Sequence, residues 1–220
     1  MNRWLLIALL IGVATSARAQ DFRRPELNVQ FNRAMTAWST GTSLLEAKAR
    51  IDRVLEEYPD DVEALKLRAA ILLDLDRPEE ALTDANQAAS LSPENGEAHL
   101  LRCEAASLTG ATDEAARALQ LASNLFLQRI NHYVRLSACA VSVGAHVRAE
   151  SLARVAIAQD ADDPRGHIQL ARVFLAKDTP ELDAARAIVD RLIEESLVTR
   201  MAVMADSQLA SLYLDDPLRQ

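Results

Sequence analysis

The stretch from Val62 to Asn95, VEALKLRAAILLDLDRPEEALTDANQAASLSPEN, decides the fold. In its first half, apolar residues stand at Leu65, Ala69 and Leu72. A spacing of three or four residues places these side chains on one face of a helix. The pattern therefore predicts a helix over residues 62–75.

A second helix follows a break at Asp76-Arg77. Pro78 suits the first turn of a helix, because its missing N–H would have no intrahelical partner there. Glu79 and Glu80 come next, and their negative charges favour the positive end of the helix dipole. The buried stripe of this helix consists of Ala81, Leu82, Ala85 and Ala88. The stretch thus predicts two helices joined by a short turn.

This two-helix unit recurs along the chain. A single constant step, such as that from position 47 to 81, 115 and 149, relates small, apolar and turn residues in several independent registers. The residues at this step are Ala47, Ala81, Ala115 and Ala149; Val54, Ala88, Ala122 and Ala156; Trp38, Leu72, Ala106, Ala140 and Phe174; Pro59 and Pro93; and, in the turn, Thr42, Asp76, Gly110, Gly144 and Asp178. Repeats of this length predict stacked helical units, each of which buries its apolar face against its neighbours.

The repeated unit resembles the tetratricopeptide repeat (TPR). That family has a large residue at position 4, Leu at position 7, a small residue at position 8, an aromatic or apolar residue at position 11, Ala at position 20, an apolar residue at position 24, Ala at position 27 and Pro at position 32. Residues 62–95 match this pattern as Leu65, Arg68, Ala69, Leu72, Ala81, Ala85, Ala88 and Pro93. The resemblance covers Asn28 to about Leu197. It implies an all-α fold, a right-handed superhelical solenoid of about five TPR helical hairpins.

The fifth unit begins at Pro164 and departs from the pattern in its second helix. Ala185, Val189 and Leu192 take the apolar positions of that helix with a slip of about two residues. A further helix is predicted over residues 198–214. The end of a solenoid exposes an apolar face that needs a cap, so we interpret this helix as a C-terminal capping helix.

Residues 1–19 have the pattern of a secretory signal peptide. Arg3 supplies a positive charge, Trp4–Val13 is an apolar run, and Ala17-Arg18-Ala19 offers small residues for cleavage. A membrane-spanning helix needs about 20 apolar residues, so this run is too short. The sequence therefore predicts a signal peptide over 1–19, a linker over 20–27, the TPR solenoid over 28–197, and a capping helix and tail over 198–220. The mature protein is expected to be periplasmic or secreted and not membrane-spanning.

The composition narrows the source and the partners. The alanine-rich sequence has no Asn-x-Ser/Thr sequon, which favours a bacterial periplasm. The formal net charge is -8 and only 4% of residues are aromatic. Binding to nucleic acid or to anionic lipid depends on clustered positive charge. Both kinds of partner are therefore excluded, and a protein or peptide partner is expected.

The sequence has no recognisable catalytic or metal-binding motif. We find no nucleophile elbow, P-loop, dinucleotide fingerprint or HExxH. His99 and His167 stand at position 4 of their repeats, where the resemblance implies packing. Asp160–Asp163 lacks the ligand spacing of an EF-hand and is predicted to be a loop between repeats. No enzyme activity, cofactor or metal is expected.

The two cysteines, Cys103 and Cys139, leave two interpretations open. Either they are small buried core residues, or they form a disulfide, which an oxidising compartment permits. Without a Cys-x-x-Cys motif, a thiol-redox enzyme has no support.

The resemblance also implies a binding site. In the family, positions 2, 5, 9 and 12 of each first helix line a concave groove. Carried over to this chain, the candidate residues are Glu63, Lys66 and Leu73; Glu97, Leu100 and Glu104; Asn131, Val134 and Val141; and Arg165, Ile168 and Arg172. The same rule assigns Val29, Asn32, Thr36 and Ser39 in the first unit and Leu175 in the fifth. The groove would be acidic at one end, apolar in the middle and basic at Arg165 and Arg172.

Two functions remain open. The chain is expected to be a non-catalytic scaffold of the cell envelope that binds a partner peptide or helix in this groove. Alternatively, it is a structural subunit of an envelope complex (outer-membrane assembly, secretion, pilus or cell-wall machinery), held through its ends or convex face. The apolar groove positions could also be covered by residues 198–214 of the chain itself, or could pack between adjacent first helices.

Overall fold

The computed structural model describes residues 23–125 and 129–214, which form twelve helices and no strand. The helices are α1 (Pro25–Ser39), α2 (Leu44–Glu57), α3 (Val62–Asp74), α4 (Pro78–Leu91), α5 (Gly96–Leu108), α6 (Thr112–Asn124), α7 (Ile130–Ser142), α8 (His146–Gln159), α9 (Pro164–Ala176), α10 (Leu182–Glu195), α11 (Leu197–Ala205) and α12 (Ser207–Leu214). The predicted all-α class is confirmed. The predicted signal peptide, over residues 1–19, lies outside the described residues.

Polar residues mark where several first helices begin. Asp61, Asn95 and Asp163 precede α3, α5 and α9, and each side chain accepts a backbone N–H of the following helix, at 3.1, 3.1 and 2.9 Å. Such caps satisfy a donor that has no partner within the helix. The first two caps lie one repeat apart and the third lies two repeats further on, so the cap belongs to the repeat.

The turns between the two helices of a hairpin share a left-handed residue. Asp76, Gly110 and Gly144 have φ angles of 57°, 76° and 75°. In the first hairpin, Gly41 has this conformation in place of the predicted turn position 42. Four of the five hairpins therefore have one residue in the left-handed region in the turn between their helices.

The fifth hairpin has a longer turn. The second helices of the preceding hairpins begin at Pro78, Thr112 and His146, an even step that would next reach Pro180. Instead, α10 begins at Leu182. The predicted slip of about two residues is confirmed, and it explains why the turn of this hairpin departs from the others.

The chain divides into two compact units, residues 1–111 and 112–220, with α1–α5 in the first and α6–α12 in the second. We call α1, α3, α5, α7 and α9, the first helix of each repeat, the A helices. In the first unit α1 contacts α3 and α3 contacts α5, with α2 and α4 packed beside them. Ala81, predicted to lie where helices touch, is fully buried, as is Ala115 in the second unit.

The beginning of the first unit is held by a buried ion pair. The guanidinium of Arg23 binds both carboxylate oxygens of Asp61, with Nη2 at 2.7 Å from Oδ1, and lies 4.0 Å from the ring centre of Phe31. The two charged side chains are only 7% and 2% exposed. Helix α1 begins at Pro25, so residues 25–27, predicted as linker, are helical. The preset φ of proline favours this early start.

The second unit ends in two short helices in place of the single predicted capping helix. Helix α11 stops at Ala205 and α12 starts at Ser207. Between them, Oδ1 of Asp206 accepts the N–H groups of Gln208 at 3.0 Å and Leu209 at 3.1 Å. An aspartate in this capping position starts a new helix, which explains the break. Within the described part of the chain, no helix is long and apolar enough to span a bilayer.

Candidate functional site

In the first unit, α1 presents its candidate positions to solvent. Val29 is 45% exposed, and Asn32, Thr36 and Ser39 are also exposed. These residues lie three or four apart, so they occupy one face of the helix. The face is mostly polar and carries one aliphatic side chain, that of Val29.

On α3 the candidate residues are more buried. Nζ of Lys66 lies 2.6 Å from Oε1 of Glu63, and their side chains are 14% and 35% exposed. Leu73 is half-buried and packs with Ala70 against an apolar cluster of the first unit. The structure therefore pairs two of the candidate residues on a helix that also carries an apolar surface.

A contact between α1 and α3 was missed by the sequence reasoning. Nε1 of Trp38 donates to Oδ2 of Asp74 at 2.6 Å. The sequence places Trp38 at the repeat step shared with Leu72 and predicts no role for Asp74, the last residue of α3. The available signal was the position of Asp74, two residues beyond Leu72, the repeat equivalent of Trp38. The bond ties the ends of the two A helices, and so it fixes the local shape of their exposed face.

Leu100 of α5 corrects the predicted groove. Its side chain is fully buried, at 0% exposure, so it offers no surface to a ligand. Lys66, at the same repeat position, keeps some exposure because a lysine holds its charged end near water. A leucine has no such restraint and gains about 2 kcal/mol when a neighbour covers it. Glu97 and Glu104, on the same helix, are partly exposed.

In the second unit, α7 carries the middle of the predicted groove. Asn131 and Ala138 are exposed, and Val134 and Val141 are partly exposed. The apolar character that was predicted for this part of the groove is thus present on an accessible helix face.

Arg165, at the start of α9, is balanced by the residue that caps the same helix. Its guanidinium donates to Asp163 from Nε at 3.0 Å and from Nη2 at 2.5 Å. These hydrogen bonds lower the pKa of Asp163 and raise the pKa of Arg165. A charge-assisted pair of this kind is local, so the charge of Arg165 is largely compensated within its own helix.

Further along α9, the candidate residues meet the C-terminal helices. Ile168 and Leu175 are half-buried and pack against the apolar cluster that contains Val203 of α11 and Leu209 of α12. The sequence left open whether the chain covers its own groove positions. At α9, the C-terminal helices contribute to the cluster that covers these two side chains.

Arg172 makes a polar contact with the same segment. Its Nε donates to Oδ2 of Asp206 at 2.5 Å. The arginine side chain remains 45% exposed, whereas the aspartate side chain is 8% exposed. One end of the predicted groove is therefore attached to the C-terminal helices.

The histidines and cysteines are the side chains whose contacts decide whether a catalytic or metal site could be present. His99 and His167 are buried, and their Nε2 atoms lie 2.8 Å from the carbonyl of Pro93 and 2.9 Å from that of Ala161. These contacts hold the preceding loop and fit the predicted packing role. Cys103 and Cys139 are buried, and neither is a free thiol. Among residues 23–125 and 129–214, no group of three or more His, Cys, Asp or Glu side chains could hold a metal ion.

Comparisons with known proteins agree on the fold. No protein-family model matches the sequence, and a comparison with curated proteins gives no match. Among solved structures, TTC0263, a thermophilic TPR protein of Thermus thermophilus, is similar with a TM-score of 0.68 and 21% identity, over 86% of this chain and 99% of its own. PilW, a widely conserved type IV pilus biogenesis factor, gives a TM-score of 0.67 and 18% identity, over 88% and 89%. YrrB, a TPR protein with an unusual peptide-binding site, gives 0.53 and 19%, over 79% and 89%. The chain therefore has the fold of TPR proteins.

Proposed function

We propose that this chain is a non-catalytic interaction module, which holds a peptide or helix of a partner protein on the exposed face of the A helices of its first unit. The main support for this proposal is the face of α1, where Val29 is 45% exposed among exposed polar residues. Half-buried Leu73 on the neighbouring helix α3 adds apolar surface. Amphipathic helices are commonly held by such apolar anchors with polar surroundings.

Charged residues on the same helices would orient the partner. The Glu63–Lys66 pair lies on α3, and Glu97 and Glu104 lie on α5. Charges at the edge of an interface affect the association rate and specificity more than the affinity. We therefore expect the apolar residues to determine affinity and the charges to determine the direction in which the ligand lies.

The proposed location is the cell envelope. The N-terminal pattern of residues 1–19 supports export, and the absence of a free thiol in the two cysteines suits an oxidising compartment. PilW, a structural neighbour, is a type IV pilus biogenesis factor, so pilus machinery belongs to the range of proposed partners. N-terminal sequencing of the exported protein should begin at Gln20. A protein that retains Met1 in a membrane fraction would contradict export.

The test of binding is partner capture from an envelope extract with two matched variants. Val29→Asp places a charge on the proposed face, whereas Leu45→Asp places one on α2 of the same hairpin, where Leu45 is 70% exposed. We expect Val29→Asp to reduce capture about tenfold or more, the effect of losing about 1.4 kcal/mol. Leu45→Asp should leave capture unchanged. Both variants should melt with the wild type, since surface substitutions change stability by about 0.5 kcal/mol or less.

A second candidate is a structural subunit of an envelope complex held through its end. It is favoured by α11, where Leu197, Val198 and Met201 are 71%, 73% and 65% exposed. The end of a repeat array normally has a polar outer face. If Val198→Asp abolishes capture while Val29→Asp leaves it intact, the end-held arrangement replaces the A-helix face.

A further inference from the structure

The C-terminal helices take a particular place in the second unit. Helix α7 contacts α9 as one A helix contacts the next, and α12 contacts α9, α10 and α11. In the described part of the chain, no further repeat helix follows α9 and α10, and the eight-residue helix α12 contacts α9 instead. Leu209 of α12 shares an apolar cluster with Ile168 and Leu175, and Asp206, which precedes α12, binds Arg172.

Asp206 makes two separable contacts with its two carboxylate oxygens. Oδ1 accepts the N–H groups that begin α12, at 3.0 and 3.1 Å. Oδ2 accepts Nε of Arg172 at 2.5 Å. The first contact folds α12 and needs no charge. The second attaches the segment to α9 and depends on the charge of the aspartate.

The segment combines buried and exposed apolar side chains. Val203 and Leu209 are fully buried against the second unit, whereas Leu197, Val198 and Met201 are mostly exposed. Helices of nine and eight residues are marginal on their own in water. Segments with few buried apolar contacts open locally without global unfolding. The C-terminal helices therefore combine a specific contact with a low local stability.

We infer that α11 and α12 act as an intramolecular ligand of α9, seated by the Arg172–Asp206 ion pair, and that an external helix binds this part of the A-helix face only after the segment leaves. The inference rests on the proposed function for the class of ligand. The seated segment also shows the chemistry that α9 accepts. Its ligand is a helix capped by an aspartate, with an aliphatic residue three positions before the aspartate and another three positions after it.

The first test uses the full chain and separates the ion pair from the cap. Asp206→Asn keeps an oxygen that can cap α12, because asparagine is a good capping residue, but it removes the charge that binds Arg172. Arg172→Gln removes the other partner. Arg165→Gln is the control, since that arginine pairs with Asp163 of its own helix. Hydrogen–deuterium exchange is measured over residues 197–214, together with tryptic cleavage after Arg200.

We expect exchange and cleavage of the segment to rise about fivefold in Asp206→Asn and Arg172→Gln, the effect of losing a modest ion pair. Arg165→Gln should match the wild type, and the amides of α8 should exchange at the wild-type rate in all three variants. Wild-type exchange of the segment in both variants would overturn the inference. An equal rise in α8 would overturn it too, because the segment would then be part of the cooperative core.

The second test uses a labelled peptide of residues 197–214 as the probe. Asp206→Asn protein, with its own segment released, should bind the peptide about fivefold more tightly than the wild type. Arg172→Gln protein should bind it more weakly than Asp206→Asn protein, because the partner of the peptide aspartate is missing. Equal affinity for all three proteins would overturn the inference. These outcomes do not depend on capture of an envelope partner, so failure of the proposed function at Val29 would remain distinguishable.

Discussion

The hairpins α3–α4 and α9–α10 are two copies of the same repeat, yet equivalent positions of their A helices differ in residue type and in environment. Position 5 is Lys66 in α3, paired with Glu63, and Ile168 in α9, packed against the cluster that includes the C-terminal helices. Position 7 is Arg68 in α3 and buried Leu170 in α9. The repeat register therefore determines the helix face on which a side chain lies. What covers that face depends on the elements that follow.

Substitution of Arg68, at position 7 of α3, should have the largest effect on the free energy of unfolding. Arg68 donates to both oxygens of Asp84 at 2.7 Å and to Asp52 at 3.2 Å, and the side chain of Asp84 is 5% exposed. The hydrogen bonds to Asp84 raise the pKa of Arg68. Arg68→Ala leaves a buried carboxylate without its main partner. Because Arg68 is itself 26% exposed, we expect a loss of about 2–3 kcal/mol in the free energy of unfolding, below the value for a fully buried pair.

Chemical denaturation measures this loss, and a double variant controls it. Arg68→Leu with Asp84→Ala restores the apolar residue that α9 has at position 7 and removes the buried charge. It should regain most of the stability, because an apolar replacement of a buried ion pair is often nearly neutral. If the double variant is as unstable as Arg68→Ala, the ion pair does not explain position 7.

Exchanging the residues at position 5 tests whether the following elements decide the environment. Ile168→Lys should cost about 1–2 kcal/mol, because a charge is placed at an apolar contact and must extend toward water. Lys66→Ile should change stability by no more than about 0.5 kcal/mol, since it removes only an exchangeable i,i+3 pair. Thermal melting of both variants checks the difference. Equal losses would show that the two positions are alike.

The turns of the two hairpins should respond differently to glycine. Asp76 has a φ of 57°, in the left-handed region that favours glycine, whereas Asp178 lies outside this region. Asp76→Gly should therefore stabilise the protein by about 0.5–1 kcal/mol. Asp178→Gly should destabilise it by a few tenths, because glycine adds about that much entropy to the unfolded chain. Urea midpoints with unchanged m-values measure both. A loss of stability in Asp76→Gly would contradict the assigned turn.

The smallest expected effect is a pH dependence confined to the longer turn. Nζ of Lys177 lies 2.8 Å from Glu150 and 2.6 Å from Glu181. Hydrogen bonds from Lys177 and Arg154 lower the pKa of Glu150 from 4.5, and the hydrogen bonds that Lys177 donates to Glu150 and Glu181 raise the pKa of Lys177. A lowered carboxyl pKa contributes stability that is present above the unfolded value and is lost as the pH falls through the folded value.

Between pH 6 and pH 3, the wild type should therefore lose more stability than Glu150→Gln, which has no charge to lose at this site. Denaturation at several pH values measures the difference, and Glu46→Gln, on α2 of the first unit, controls for the general effect of removing a carboxylate. Parallel curves for wild type and Glu150→Gln would show that Glu150 contributes nothing to this dependence.

The equivalent loop positions show how far the repeat could be followed without coordinates. The slip in the fifth unit was predicted from Ala185, Val189 and Leu192, because apolar spacing reports which residues of a helix face the core. The sequence did not predict that Asp178 lacks the left-handed conformation of the equivalent turn residues, since extra turn residues change the backbone path. Likewise, the ion pair of Arg23 with Asp61 was not predicted, because the two residues lie far apart in the chain.

The all-α class, the two-helix repeat and the burial of its small residues could be predicted from the sequence, because these depend on local spacing that the constant repeat step preserves. The sequence also indicated the helix faces on which candidate binding residues lie. Tertiary packing was needed to see that Leu100 is buried, that Trp38 binds Asp74, and that Asp206 ends one helix, starts another and binds Arg172. Each of these depends on which distant side chain comes within a few ångströms, and no local pattern encodes that distance.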